Sequence, residues 1–346
     1  MKHFSDITHS QDITCVPDNA PHVSDTAPRS QDITPHVSDT PPCSQDTTCE
    51  GGTRAMLSVI IVAYRSGGHL FQCIDSLFSH ADIPSERLEV IVVDNDSPDG
   101  PEVYPRVARL YGNRVRIVRN SRNGGYGQGN NVGIAAATAP VVMIMNPDVR
   151  LCMPVMDEAL RVFASDSSAG IVGMTQMLSA TRRSTNSFCC TNAMNGYLSV
   201  FLTALCNRLS LFLPSCMHLS GACFFIRKDA FERASLFDER LFMYAEEDDI
   251  SRRMRRLGMR LVYLPRLAYI HLTEQRAFSL KAEQRVVESI VYVNEKHGTP
   301  PSRTYLNELR KVRVMLLRQR LRKLIGLPAP LLDDYVSFAQ WLKQRI

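Results

Sequence analysis

The chain lacks several features that mark common classes of protein. It has no apolar signal run at its N-terminus and no stretch of 18 uninterrupted apolar residues, so we expect neither secretion nor a conventional membrane span. Its ten cysteines include no CxxC pair, which indicates neither a zinc site nor a disulfide framework and fits a reducing cytoplasm. The phosphate-binding pattern GxxxxGKS or GxxxxGKT is also missing, which argues against a nucleoside triphosphatase.

Charge and composition exclude little else. A net charge of +5 is modest and gives no case for nucleic acid as a partner. With 346 residues, 45% of them hydrophobic, the chain can bury the core of one large or two smaller domains.

The nearest candidate for a membrane span is residues 196–214, which Asn207 and Arg208 interrupt. This segment therefore predicts a buried or interfacial helix.

Residues 1–55 differ in composition from the rest of the chain. They are rich in Ser, Thr, Asp and Pro, and PHVSDTAPRSQDIT at 21–34 returns as PHVSDTPPCSQDTT at 35–48. The repeat is too short and too polar to bury a face, so we expect a disordered tail. Because the apolar pattern begins directly after Met56, we take this methionine as the hypothetical real or ancestral start.

From Leu57 onward, apolar runs alternate with helical patterns. This order is typical of an α/β fold with a mostly parallel sheet flanked by helices. We predict a helix at residues 246–257, a helical C-terminal region at 276–346, and strands at 57–63, 88–94, 115–119, 141–145, 170–174, 222–227 and 260–265. Ligands of such sheets bind at the carboxyl ends of strands. The ends that this rule brings together are Ala63 to Arg65, Asp94 to Asp96, Arg119 to Gly124 and Asn146 to Asp148.

Two of these strand ends carry an aspartate. Asp148 follows Asn146 and Pro147 at the end of VVMIM, where it could bind a divalent cation that bridges phosphates or could cap an ordinary turn. Asp94 opens DNDSPDG and could contact a base or ribose, or belong to the turn. The residues alone leave both alternatives open.

The segment RNGGYGQGNN at residues 122–131 is rich in glycine and amides. It resembles a dinucleotide-binding turn, but it follows the third strand, lacks the full GxGxxG spacing and crowds amides where that turn needs apolar packing. We therefore interpret it as a loop that lets the backbone approach a nucleotide.

Four consecutive acids, Glu246 to Asp249, begin the predicted helix at 246–257. Acids are favoured at a helix N-terminus by the dipole, yet four together repel one another and could raise one pKa toward that of a general base. His271 follows a predicted strand and is a candidate metal ligand or a buried, hydrogen-bonded histidine.

Taken in order, these stretches resemble the family 2 glycosyltransferases of the GT-A fold, especially bacterial rhamnosyltransferase-like members. The resemblance runs from Leu57 to His271. It rests on five motifs in order: LSVIIVAYRS, VDNDSPDG, NGGYGQGNNVGI, MNPDVRL in place of the family's DxD, and the long segment SGACFFIRKDAFERASLFDERLFMYAEEDDISRRMRRLG, which ends in its ED-type catalytic motif.

The resemblance implies inverting transfer of a sugar from a nucleotide donor to an acceptor hydroxyl. Asp148 would hold Mg²⁺ or Mn²⁺, and His271 would complete the metal or diphosphate site. The base would be Glu247, with Asp249 and then Glu246 as the next candidates. Ser220, Gly221, Ala222 and Tyr244 would lie on the acceptor side. The implied nucleotide-binding residues are Ala63, Tyr64, Arg65, Asp94, Asn95, Asn123, Gly124, Asn130 and Asn146.

Two positions depart from the family pattern. Asn146 stands at the first position of DxD and cannot supply a second anionic ligand, so we expect it to touch ribose or a water. The ED-type motif reads Glu246-Glu247, so a longer side chain must reach the acceptor hydroxyl.

We expect a catalytic domain at 56–275, with a nucleotide-binding half at 56–150 and an acceptor half at 151–275, followed by a helical basic extension at 276–346. By resemblance the donor is dTDP- or UDP-linked, such as dTDP-rhamnose, and the acceptor is lipid-linked or a glycan in bacterial surface polysaccharide synthesis. A sugar nucleotidyltransferase and a non-catalytic nucleotide-sugar-binding protein are the alternatives.

The basic extension contains seven cations and no acid between Arg310 and Lys323. Leu309, Val312, Leu316, Leu317, Leu321 and Leu324 fall roughly on one helical face, so residues 305–325 predict an amphipathic basic helix. Such a helix either adsorbs to an anionic membrane or packs on the catalytic domain with a solvated basic face. We favour the membrane, and hence a cytoplasmic protein peripherally associated with its inner face.

Overall fold

The fold is built on a sheet of eight strands. The computed structural model describes residues 55–272 and 278–346, so the predicted tail, apart from Ala55, and the predicted boundary at 275 lie outside the described residues. The strands are β1 (Leu57–Ala63), β2 (Leu88–Asp94), β3 (Arg116–Arg119), β4 (Val141–Met145), β5 (Val149–Leu151), β6 (Ala169–Met177), β7 (Phe188–Cys190), β8 (Met217–Leu219), β9 (Cys223–Arg227) and β10 (Arg260–His271).

The strand order in the sheet is β3-β2-β1-β4-β9-β6-β10-β5. The first four strands are parallel, β9 runs antiparallel to both of its neighbours, and β10 is parallel to β6 and antiparallel to β5. Strands β7 and β8 form a separate antiparallel pair. The predicted α/β fold with a mostly parallel sheet is confirmed, and β10 extends beyond its predicted end, so that His271 is its last residue.

Helices cover both faces of the sheet. They are α1 (Gly67–Ser79), α2 (Gly100–Tyr111), α3 (Gly125–Ala136), α4 (Met156–Ser165), α5 (Gly196–Arg208), α6 (Lys228–Arg233), α7 (Glu246–Arg256), α8 (Leu280–Lys296), α9 (Pro301–Leu324) and α10 (Leu332–Lys343).

Alternate side chains of β1 enter two different cores. Val59 and Ile61 pack with α1, α2 and α4, whereas Ile60 packs on the other face with α3, α6 and α7. Because both faces are covered, β1, β2 and β4 are apolar almost without interruption. This burial is why their positions were predictable from sequence.

The C-terminal region is helical, as predicted, and has a core of its own. Helices α8, α9 and α10 meet around Val287, Leu309, Leu316 and Leu342. The predicted apolar face of α9 is therefore divided, because Leu309, Val312 and Leu316 are buried whereas Leu317, Leu321 and Leu324 are exposed. Residues 305–325 are thus helical up to Leu324, and the apolar face as far as Leu316 packs within the protein.

The segment at 196–214 is a helix only as far as Arg208. One of its faces is buried and the other is exposed, which fits the interfacial alternative of the predicted buried or interfacial helix. Among the helices of residues 55–272 and 278–346, none combines the length and the apolar character that a bilayer crossing needs.

We expect Leu342→Ala to lower the free energy of unfolding by about 2–5 kcal/mol, because Leu342 is fully buried between α8, α9 and α10. The measurement is chemical denaturation of the full chain. Leu321→Ala is the matched control on exposed α9 surface and should change the value by less than about 0.5 kcal/mol. Equal effects of the two substitutions would contradict the packing described for α10.

Candidate active site

A cavity of about 780 Å³ opens at the carboxyl ends of β1, β2 and β4. This is the edge at which the sequence predicted a site. Most of the predicted site residues line it: Tyr64, Arg65, Asn95, Asn123, Asn130, Asn146, Asp148, Ser220, Gly221, Ala222, Tyr244, Glu246, Glu247 and His271.

Strand pairing brings Asp148 and His271 together. The antiparallel register of β10 and β5 sets His271 opposite Val149, and the backbone N–H of Leu272 donates to the carbonyl of Asp148 at 3.0 Å. As a result, the Nε2 atom of His271 lies 3.2 Å from Oδ2 of Asp148. Two side chains 123 positions apart in the sequence thus form one polar pair on the cavity wall.

The Asp148–His271 pair has the geometry of two ligands of one cation. Adjacent ligand atoms of an octahedral ion with bonds of about 2.1 Å lie roughly 3 Å apart, close to the observed separation. The Nδ1 atom of His271 is buried and has no hydrogen-bond partner among the described residues. Within residues 55–272 and 278–346 no third His, Cys, Asp or Glu joins the pair, so the protein can offer a cation two such side chains here.

A network of amides shapes the side of the cavity formed by the loops after β2 and β3. The Asn95 amide donates to Oδ1 of Asn123 at 3.0 Å and to the carbonyl of Gly125 at 3.3 Å. Asn120 donates to Oδ1 of Asn95 at 2.7 Å. These bonds explain why the loop before α3 is rich in asparagine, since each amide both donates and accepts.

Gly125 is the glycine that this loop requires. Its φ is +89°, and a Cβ atom there would lie 1.9 Å from the carbonyl oxygen of Phe242. The N–H of Tyr126 donates to the same oxygen at 2.9 Å, and the Tyr126 hydroxyl donates to the carbonyl of Gly221 at 2.7 Å. The loop at the start of α3 is therefore held directly against the segment before α7 and against the segment at Gly221.

Helix α7 directs two acids at the cavity. Tyr244 and Ala245, just before it, both have left-handed backbones, with φ of 79° and 72°. Such residues persist only where their surroundings hold them, and they set the direction in which α7 begins. The side chain of Glu247 lies against the backbone of Gly221. A Cβ atom added to Gly221 would be 2.0 Å from the Oε1 atom of Glu247.

Glu246 and Glu247 have different surroundings. Glu246 is 2% exposed, and its Oε1 atom has no hydrogen-bond partner among the described residues. Burial, and next the charge of Glu247, raise the pKa of Glu246 well above its usual range. Glu246 therefore retains its proton to a higher pH than an exposed glutamate does.

Asp249, a predicted candidate for the base, does not line the cavity. Its fully buried carboxylate pairs with Arg253 at 2.7 Å, with Lys296 at 3.0 Å and with His297 at 2.8 Å. The neighbouring Asp248 is held in the same way, because it pairs with Arg252 at 2.6 Å and accepts a hydrogen bond from the backbone N–H of Asn192 at 3.0 Å.

Three other predicted residues also lie off the cavity wall. Asp94 accepts a hydrogen bond from the N–H of Ser97 at 2.9 Å, so its carboxylate belongs to the turn. Ala63 points into the core, and Gly124 precedes α3 without lining the cavity.

Sequence reasoning missed several residues that do line the cavity. Ser66 and His69 begin the segment after β1, Tyr126 lies in the glycine-rich loop, and Phe242 and Met243 precede α7. Phe242 and Met243 are large, apolar and exposed beside an acidic helix start. That contrast is visible in the sequence LFMYAEE and could have identified them.

Asp249→Asn should lower the free energy of unfolding by about 3–5 kcal/mol at pH 7, because it removes the buried carboxylate that pairs with Arg253, Lys296 and His297. Burial opposes ionisation of Asp249, but the hydrogen bond from His297 and the charge of Arg253 lower its pKa from 3.8 to about 2. A lowered pKa stabilises the fold above pH 4, and this part is lost as the pH falls toward 2.

The difference between wild type and Asp249→Asn should therefore shrink between about pH 4 and pH 2, as measured by chemical denaturation. The control is Asp157→Asn, which removes an exposed pair of the same i,i+4 spacing with Arg161 and should leave stability nearly unchanged. Equal losses in the two variants would contradict the buried role of Asp249.

Solved structures with the same fold are glycosyltransferases. The mannosyltransferase PcManGT from Pyrobaculum calidifontis, in complex with GDP-Man and Mn²⁺, aligns with a TM-score of 0.55 at 17% identity, over 84% of this chain and 85% of that one. GalNAc-T7 with UDP, GalNAc and Mn²⁺ aligns with a TM-score of 0.56 at 15% identity, over 86% and 57%. The chain has the GT-A fold that its sequence predicted.

Sequence comparisons agree with this fold. The N-acetylglucosaminyl-diphospho-decaprenol L-rhamnosyltransferase of Mycobacterium tuberculosis is 29% identical over 247 residues, which cover 62% of this chain and 76% of the relative. The family model described as "Glycosyltransferase like family 2" matches residues 54–289, well over half of the chain. The protein whose cavity is described above is thus a member of glycosyltransferase family 2.

Proposed function

We propose that the protein transfers a sugar from a nucleoside diphosphate donor to an acceptor hydroxyl with inversion at the anomeric carbon. The observation that carries this proposal is that Glu247 and the Asp148–His271 pair face the same cavity at the strand ends. Glu247 can accept a proton from the acceptor hydroxyl, and the Asp148–His271 pair can hold a cation against the departing diphosphate.

We assign the donor to the side of the cavity formed by β1 and the loops after β2 and β3. Tyr64, Arg65, Asn95, Asn123 and Asn130 present hydrogen-bonding groups and one cationic side chain there. Asn146 lies next to them, where it can contact ribose or a bound water.

Asp148 and His271 would hold the Mg²⁺ or Mn²⁺ ion. Their 3.2 Å separation fits adjacent ligand positions, and diphosphate oxygens and water can supply the others. When bound, the cation would offset the negative charge that grows on the leaving diphosphate. The Mn²⁺ in the complexes of PcManGT and GalNAc-T7 supports this assignment.

Glu247 is the proposed general base. It lies against Gly221 beside Ser220 and Ala222, the segment we assign to the acceptor. Inverting transfer needs one carboxylate to take the hydroxyl proton as the new bond forms. We assign the nearly fully buried Glu246 a hydrogen-bonding role at the cavity wall, and the burial of Asp249 in ion pairs favours Glu247 over it as the base.

We propose a sugar residue of the rhamnose or hexose type, from dTDP-rhamnose or a UDP-sugar. A lipid-linked or glycan acceptor in bacterial surface polysaccharide synthesis, reached from the cytoplasmic side of the membrane, fits this proposal. The mycobacterial relative, an N-acetylglucosaminyl-diphospho-decaprenol L-rhamnosyltransferase, supports this proposal. Membership of a glycosyltransferase family favours sugar transfer over nucleotidyl transfer and over binding without turnover.

Glu247→Gln should lower kcat by about 10²–10⁴-fold with little change in donor KM, because the amide cannot accept the proton. Glu246→Gln is the matched neighbour and should retain most activity, because burial raises the pKa of Glu246 and so favours the neutral carboxyl, which the amide closely resembles. The measurement is release of dTDP from dTDP-rhamnose with an N-acetylglucosaminyl-diphosphate lipid as acceptor, repeated with UDP-sugars. Near-normal turnover by Glu247→Gln would remove this assignment.

Binding of dTDP and UDP should depend on Mn²⁺, and Asp148→Ala and His271→Ala should each abolish that dependence, because each removes one of two paired side chains. Isothermal titration of the full chain with and without Mn²⁺ measures this. Asp157→Ala, an exposed acid on α4, is the control and should bind like wild type. Tight binding that is unaffected both by Mn²⁺ and by the Asp148→Ala substitution would show that Asp148 is an ordinary turn residue.

A further inference from the structure

Helix α5 exposes an apolar stripe. Tyr197, Leu198, Phe201 and Leu205 are 45%, 48%, 63% and 39% exposed. Their spacing of four and seven residues places them on one face of the helix. Leu209 and Leu211, just beyond α5, are also exposed. A contiguous patch of this kind marks an interaction surface rather than the scattered apolar residues of an ordinary protein surface.

The opposite face of α5 is fixed on the protein. Ser199, Cys206 and Asn207 are buried, and the Asn207 amide donates to the carbonyl of Phe188 at 2.8 Å. The helix therefore cannot turn its stripe inward without breaking these contacts. The stripe faces outward because of packing.

Helix α9 packs beside α5 and adds positive charge. A Cβ atom on Gly196 would lie 2.0 Å from the carbonyl oxygen of Asn307, and the Tyr197 hydroxyl is 3.5 Å from Nη1 of Arg313. The exposed part of α9 carries five cationic side chains. Among the described residues no acid forms an ion pair with any of them: Arg313, Arg318, Arg320, Arg322 and Lys323. Leu317, Leu321 and Leu324 are exposed among them.

The stripe begins close to the proposed base. Thr191 and Asn192 donate hydrogen bonds to Asp248, the residue after Glu247, at 2.9 and 3.0 Å. Three residues later, the side chain of Asn195 caps α5 by accepting a hydrogen bond from the N–H of Tyr197 at 3.0 Å. Residues 191–195 thus connect the exposed stripe of α5 to the start of α7, on the acceptor side of the cavity.

We propose that α5 inserts its apolar stripe into the surface of an anionic lipid bilayer while the basic end of α9 binds the lipid headgroups. An anionic bilayer suits both the apolar stripe and the basic end of α9. Aromatic and leucine side chains insert at the boundary between headgroups and acyl chains, and arginines pair with anionic headgroups. A second copy of the chain would cover the stripe but would bring like charges of α9 near one another. The inference deepens the proposed function, because it would present a lipid-linked acceptor to Glu247.

The test is co-sedimentation of the full chain with vesicles of equal parts phosphatidylglycerol and phosphatidylcholine. Phe201→Ser should weaken binding by about tenfold or more, because it removes the most exposed aromatic group of the stripe. Leu110→Ser, on α2, changes a comparably exposed apolar residue outside the stripe and should bind like wild type. Both sites are exposed, so both variants should fold.

A double variant, Arg318→Gln with Arg320→Gln, separates charge from insertion. It should weaken binding to the phosphatidylglycerol vesicles and leave binding to pure phosphatidylcholine vesicles unchanged. Glu247→Gln should bind vesicles like wild type, so loss of catalysis and loss of membrane binding can be told apart.

Two results would overturn the proposal. One is equal vesicle binding by wild type, Phe201→Ser and Leu110→Ser. The other is a lipid-free dimer that sedimentation velocity shows to dissociate in Phe201→Ser while vesicle binding stays the same, because a second copy would then be the occupant of the stripe.

Discussion

The ion pairs of Asp248 and Asp249 hold the helix on which the site depends. Within α7, Asp248 pairs with Arg252 and Asp249 pairs with Arg253. Asp248 also joins α7 to the segment before α5, and Asp249 joins it to Lys296 and His297 at the end of α8. With those carboxylates buried, the first turn of α7 can direct Glu246 and Glu247 at the cavity. Because desolvation opposes the attraction within a buried ion pair, we infer that these pairs chiefly fix the position of α7.

The four consecutive acids show what a sequence can and cannot tell. The sequence shows an excess of acids at a helix start, and this excess indicated a functional site there. Successive residues of a helix point about 100° apart, so four in a row cannot all face one cavity. Which of them face it depends on α8, whose contacts with α7 come from residues more than 40 positions away. No local pattern contains that information.

The same distinction holds for the fold. The long strands were predictable because they are apolar on both faces, whereas β5, β7 and β8 have three residues each and are too short to show a period. The strand-end rule correctly brought Asn95, Asn146 and Asp148 to one edge. It failed for Asp94, because alternate side chains of a strand point in opposite directions and the turn after β2 satisfies this carboxylate locally.

The contact between Gly125 and Phe242 has a consequence for the order of events in the cavity. The loop that begins α3 lies on the side of the cavity to which we assign the donor, whereas Phe242 belongs to the segment that leads to α7 and its acids. Because the N–H of Tyr126 donates to the carbonyl of Phe242 there, a shift of either segment would have to break this hydrogen bond or carry the other segment with it. Occupancy of the nucleotide side would thus be communicated mechanically to the acceptor side, and the two halves of the cavity would act as one body.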